Sequence, residues 1–287
     1  MKFRATFQNN KALSNVCETL KGVNKRAVLK LSQDRLRVIV VTSMAEGSMQ
    51  VWASLKTATI FNLFRIESKL GNDIYCDVCI RDLLTAVKSE PSGAAITVKL
   101  SKVAERPVLT IASPLRMGSG DVTHCVPVRV LDDTEIANLA VPCLTECVLA
   151  FVAPPLDALS GLFERVKGLG CSVVTLAATP TASGVTLVVT ARSSHVVVAA
   201  TYGCLAYAPR PNPTRTTAAE EATVPVDRLA VTASFDVKRL TAALAVKDSQ
   251  PHPTLTHIHC TPESGIVLFV QCGKDVNYLY YIPQIVE

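Results

Sequence analysis

Aromatic side chains are scarce in this chain. They make up 5% of 287 residues, with a single tryptophan. A core short of rings must be filled by aliphatic residues, and the β-branched ones among them favour sheet. Charge is sparse too, at 18% of residues against 49% hydrophobic, a balance that excludes global disorder. No apolar run of eighteen residues lacks a charge or a turn signal, so no membrane span is expected. The opening MKFRATFQNN carries no secretory signal, and ten scattered cysteines in a chain this long do not read as a disulfide framework. Reduced thiols in an intracellular setting are the expectation. The phosphate-cradling patterns G-x-x-x-x-G-K-S/T and G-x-G-x-x-G are missing, as is G-x-S-x-G. No nucleophile, base and orienting acid stand at motif spacing. No catalytic residue, metal or cofactor is therefore assigned.

What charge there is divides unevenly. Residues 1–130 hold 19 Lys and Arg against 10 Asp and Glu, while residues 131–287 hold 10 against 14. A basic excess in the first part permits a polyanionic partner without demanding one.

The chain repeats itself. MKFRATF alternates as a strand. It is followed by a helical stripe of Leu13, Val16, Cys17 and Leu20, with Asn9 or Asn10 as N-cap, and then a hairpin of AVLKLS and RLRVIVV. VLAFVAP opens the second half in the same way. A stripe of Leu156, Leu159, Leu162, Phe163 and Val166 follows, then a hairpin of SVVTLAA and GVTLVVTA turned by Thr-Pro-Thr-Ala-Ser. Each half has a second helix, IRDLLTAVKSE and DVKRLTAALAVK, sharing Leu-Thr-Ala at 84–86 and 240–242. Two helices among eight or nine strands, repeated once, predict an α+β fold with mainly antiparallel sheet. The expected layout is a domain over 1–131, a connector over 132–146 and a domain over 147–287, each domain around its own core. The Pro- and Thr-rich stretch 208–223 is expected to be a disordered loop.

Two tandem domains of this layout resemble the sliding-clamp fold of proliferating cell nuclear antigen. The blocks MKFRA, IFNLFRIE (60–67), NDIY (72–75), THCVPVRV (123–130) and VNYLYYIP (276–283) are similar to the Hus-one family of the nine-one-one checkpoint clamp. Their order spans nearly the whole chain. The resemblance implies a nuclear, non-catalytic subunit of a heterotrimeric ring with Rad-nine-like and Rad-one-like subunits. A clamp loader would place that ring on damaged double-stranded DNA, where it recruits checkpoint and repair proteins. A homotrimeric replication-type clamp is the alternative.

A ring of this kind needs cations on the helix faces opposite the apolar stripes. Candidates are Lys11, Lys21 and Lys25 with the first helix, Arg81 and Lys88 on the second, Arg165 and Lys167 on the third, and Lys238, Arg239 and Lys247 on the fourth. Such faces neutralise phosphates without reading bases. They would equally serve as solvated faces of amphipathic helices. Glu18, Asp157 and Glu164 sit where phosphates should pass, which argues for a looser grip. In the connector, Ile136, Leu139, Val141 and Leu144 could line a groove for partner peptides, as the fold's relatives imply, or could pin the connector to the sheet.

Metal chemistry has weak candidates. Cys76 and Cys79 form a C-x-x-C on a strand, where alternation sends the two sulfurs to opposite faces. His257 and His259 share a strand face, with His252 near, and read as satisfied or exposed histidines. His124 and Cys125, with Cys143 and Cys147, are half a zinc site or the seam between two domains. HCVPVRV reads as the last strand of the first domain, with the cysteines as small buried apolar groups.

Overall fold

The computed structural model describes residues 1–42, 48–68, 71–89, 96–115, 120–139, 147–209, 229–261 and 265–285. The first half builds strands β1 (Lys2–Phe7), β2 (Arg26–Leu31), β3 (Arg35–Val41), β4 (Gln50–Lys56), β5 (Phe61–Glu67), β6 (Ile74–Cys79), β7 (Thr97–Val103), β8 (Arg106–Pro114) and β9 (Asp121–Val130). Among them run helices α1 (Asn10–Leu20), the short α2 (Thr57–Ile60) and α3 (Ile80–Lys88), and α4 (Asp133–Ala137) follows β9. The second half contributes β10 (Leu149–Val152), α5 (Leu156–Gly168), β11 (Val173–Thr181), β12 (Gly184–Arg192), β13 (Val197–Leu205), β14 (Val231–Asp236) and α6 (Val237–Leu244). It closes with a 3-10 turn at Ala245–Asp248 and the strands β15 (Pro253–Thr261), β16 (Gly265–Cys272) and β17 (Val276–Pro283).

All strand pairing is antiparallel, and the two halves pair by one plan. In the first, β1 joins β7, β7 joins β8 and β8 joins β9, while β2 holds β3 and β6, and β3 holds β4. In the second, β10 joins β15, then β16, then β17, while β11 holds β12 and β14, and β12 holds β13. Even the β1–β5 contact has a remnant, an isolated bridge from Phe151 to Tyr207. Strand alternation puts Phe3, Ala5, Val38, Val40, Val51 and Ala53 on the buried side, facing the helices.

The expectation of a separate core for each half is corrected. Most buried residues of both halves fall in one continuous cluster, because β4 of the first half pairs with β17 of the second, from Leu55↔Val276 to Gln50↔Tyr281. Tyr278 and Tyr280, stacked with centroids 6.1 Å apart and almost wholly buried, carry the core across this seam. The duplication lies in the connectivity.

That pairing has a consequence in the other two equivalent strands. By position in the plan, β13 corresponds to β4 and β9 corresponds to β17. Among the described residues β13 pairs with β12 alone. β9 meets β6 only over Val128–Val130, so residues 121–127 have β8 on one side and no strand on the other among the described residues. Pro127, which cannot donate to a ladder, suits such an edge.

Two local expectations also change. The hairpin in the second half turns at Ala182–Ser183, and Thr179, Pro180 and Thr181 are strand residues paired with β12. Pro180 is tolerated because β14 reaches only Ala178, so no second ladder needs its missing N–H. Cys125 is exposed where burial was expected, since Val126 beside it takes the core side. His257 and His259 are both buried, with rings 6.0 Å apart. The stretch 210–223 of the expected loop lies outside the described residues.

Candidate nucleic-acid interface

Four helices make one layer on the buried-core side of the sheets. α1 packs on α3, and α5 packs on α6. α1 also touches the turn after α6, and there the side-chain amide of Asn15 donates to the Gln250 carbonyl at 2.8 Å. The layer therefore runs across the seam.

Each helix forms for local reasons and buries one stripe. Asn9 caps α1 by accepting from the Ala12 N–H at 3.2 Å, and Leu13, Val16, Cys17 and Leu20 are buried. In α3, Ile80, Leu83, Leu84, Ala86 and Val87 are buried, with Asp82 in the first turn and Lys88 in the last, as the helix dipole favours. α5 buries Leu159, Phe163 and Val166, and places Asp157 first and Arg165 and Lys167 last. Asp236 caps α6, accepting from the Lys238 N–H at 2.7 Å.

The faces left over carry the charge. Lys11, Lys21, Arg81, Lys88, Arg165, Lys167 and Lys238 are exposed, Lys25 is exposed just before β2, and Arg239 and Lys247 are half-buried. They are not equivalent. Lys21 and Lys88 both pair with the Glu18 carboxylate, joining α1 to α3. Hydrogen bonds from Lys21 and then Lys88 hold that carboxyl below the usual glutamate range. Lys167 stands 3.8 Å from Glu164, and Lys247 stands 3.4 Å from Asp157 and 3.1 Å from Asp248. Among the described residues, Lys11, Lys25, Arg81, Arg165 and Lys238 make no ion pair. The three carboxylates flagged in the sequence each engage a lysine. The reach of Lys88 to a carboxylate 70 positions away had no sequence signal.

The connector is fastened on the opposite face of the sheet. α4 carries a capping box missed in the sequence, although Asp132-x-x-Glu135 spells it: Asp132 accepts from the Glu135 N–H at 2.8 Å, and Glu135 accepts from the Asp132 N–H at 3.3 Å. Hydrogen bonds from the Thr134 hydroxyl and the Glu135 N–H hold the Asp132 carboxyl low. Arg129 pairs with Glu135 and reaches Asp77 at 3.6 Å. Leu139 is buried among Leu131, Ile39, Trp52, Val267 and Tyr281, with Ile136 packed at the edge. Ile136 and Leu139 thus sit over the β4–β17 seam. Val141 and Leu144 lie outside the described residues.

The weighed metal candidates disperse. Cys76 is fully buried, its thiol pushed up to about 12 by burial, while Cys79 is half-exposed. His124 and Cys125 belong to β9, whereas Cys147 is beside His259, its Sγ 3.9 Å from Nδ1. Cys143 lies outside the described residues. No group of three His, Cys, Asp or Glu able to hold a metal occurs among the described residues, nor any helix long and apolar enough to cross a membrane.

With this geometry in place, the chain was compared with known proteins. A family model described as Hus1-like protein matches residues 1–286. The checkpoint protein hus1 of Schizosaccharomyces pombe is 27% identical over 177 residues, which is 61% of this chain and 61% of that protein. Checkpoint protein HUS1 of Homo sapiens is 26% identical over 182 residues, 61% of this chain and 65% of the relative. The alignments thus span less than two thirds of these relatives. A crystal structure of proliferating cellular nuclear antigen from Entamoeba histolytica superposes with a TM-score of 0.64 at 14% identity, covering 99% of each chain. The fold is that of the sliding clamps.

Proposed function

The chain belongs to the Hus1-like protein family, and on that premise we propose that it is a non-catalytic subunit of a heterotrimeric checkpoint clamp that encircles double-stranded DNA in the nucleus. Its neighbours in the ring are Rad-nine-like and Rad-one-like subunits. A clamp loader places the ring at damaged DNA, and the ring recruits signalling and repair proteins.

The observation that carries the reading is the unmet half of a duplicated pairing. Within the chain, β4 and β17 join head to tail. Their equivalents, β13 and the first part of β9, expose ladder groups that another chain can complete. A subunit with one such edge at each end assembles by heterologous contacts, and those close into a ring when the rotation permits. The helix layer then supplies the DNA-facing surface. Lys11, Lys25, Arg81, Arg165 and Lys238, which make no ion pair among the described residues, offer cations to phosphates and read no base, as a sliding ring requires.

The test is charge reversal of Lys11, Arg81, Arg165 and Lys238 together, with the ring assembled from all three subunits. The expected outcome is intact assembly with duplex DNA binding reduced at least tenfold at low salt. Unchanged DNA binding would remove the helix layer as the DNA surface.

A further inference from the structure

The face of the first-half sheet that points away from the helices carries a row of cations on adjacent strands. Arg4 on β1 lies directly opposite Arg65 on β5 and opposite Lys99 on β7. All three are exposed, while Phe3, Ala5 and Val98 beside them are buried on the helix side. At a strand spacing of about 4.8 Å, three positive charges fall within roughly 10 Å. Like charges directly opposite in a sheet are destabilising. Several other strand cations have a carboxylate partner: Lys2 has Glu67 at 3.2 Å, Lys30 has Asp73 at 2.7 Å, Arg26 has Asp77 at 2.9 Å and Lys56 has Asp275 at 3.1 Å, so that where Lys30 lies opposite Arg37 and Lys56 opposite Arg35 one member of each pair is neutralised. Among the described residues the Arg65–Arg4–Lys99 row has no ion pair. A cavity of about 240 Å³ opens beside it, lined by Arg4, Lys99, Thr97, Thr110, Ser113 and Asp121.

We infer that this row is a docking site for a phosphorylated segment of a partner protein. A guanidinium fork, an ammonium and the Thr97 hydroxyl match the oxygens of a phosphoryl group, while the Thr110 hydroxyl is engaged with Ser101, and Asp121 leaves the cavity with a net positive charge. A broken local rule of charge placement marks a functional position when no other compensation is present. The choice of peptide over duplex rests on the clamp reading, since the row looks away from the helix layer that faces DNA in that reading.

The probe is a fluorescent Gly-pSer-Gly-pSer-Gly peptide, with its unphosphorylated twin and a DNA duplex measured in parallel on the full chain. The expected result is phosphate-dependent binding, weakened at least tenfold by the double variant Arg4→Ala, Lys99→Ala. Arg4→Lys should weaken it less, because charge survives and the fork does not. Duplex binding should be unchanged, and the melting temperature of the double variant should match or exceed that of the parent. Equal binding by parent and variant, no binding by the parent, or a parallel loss of duplex binding would overturn the inference. The helix-face charge reversal should leave peptide binding intact. If that reversal failed to weaken DNA binding, the clamp reading would fall on its own, whatever the peptide did.

Discussion

Between Lys21 and Lys88, the carboxylate of Glu18 neutralises charge that, in the proposed ring, would otherwise face a phosphate backbone. Glu18→Gln should therefore tighten duplex binding and steepen the plot of log K against log salt by about 1 to 2, the yield of one or two freed lysines. Binding isotherms at several salt concentrations check this, and an unchanged slope would place the pair outside the DNA footprint. The folded-state pKa of Glu18 is depressed, so its ion pairs stabilise fully above the ordinary glutamate value of about 4.3 and are lost as pH falls through the lowered one. Acid titration of the parent and of Glu18→Gln should accordingly converge in stability at low pH. Leu139 makes a different prediction. It is buried against Trp52 and Tyr281 over the seam, so Leu139→Ala should cost about 2 kcal/mol, the lower end for buried leucines because its cluster lies at the sheet surface. Denaturant unfolding measures it. A selective loss of partner binding at full stability would instead mark Leu139 as a groove residue.

At the scale of elements, the proposed assembly turns on the edges. Ala199 is exposed in β13, and a lysine on an edge strand discourages pairing with another chain. Ala199→Lys should weaken association with one ring neighbour while leaving the melting temperature of the free chain unchanged. Co-purification alongside thermal unfolding separates the two effects. What the sequence made legible follows the range of the forces involved. The stripes of α1, α3, α5 and α6 stood out because burial of one helix face imposes its own period. Strand pairs joined by tight turns were readable for a similar local reason, apart from the shift at Pro180. The β4–β17 seam was not, since it joins Trp52 to Leu279 across more than two hundred positions with no local signature. The site divides likewise. The exposed cations could be read off helix faces, but which of them are tied to carboxylates depends on the tertiary meeting of α1 with α3 and of α5 with the turn after α6. Cys125 was misplaced because one residue of alternation decides its face.

In the whole molecule, one duplicated plan is satisfied once internally and left open at two ends. Two different edges, β9 interrupted by Pro127 and β13 bulged near Gly203, serve two different neighbours in the proposed ring. The helix layer crosses the seam, where α1 meets the turn after α6. The most direct test is native mass spectrometry of the chain alone and of the chain with its two proposed partner subunits. The account predicts that the chain alone stays at 30.7 kDa and that the mixture gives one species holding a single copy of each subunit. A self-assembled species of three times 30.7 kDa, or a chain that joins neither partner, would contradict it.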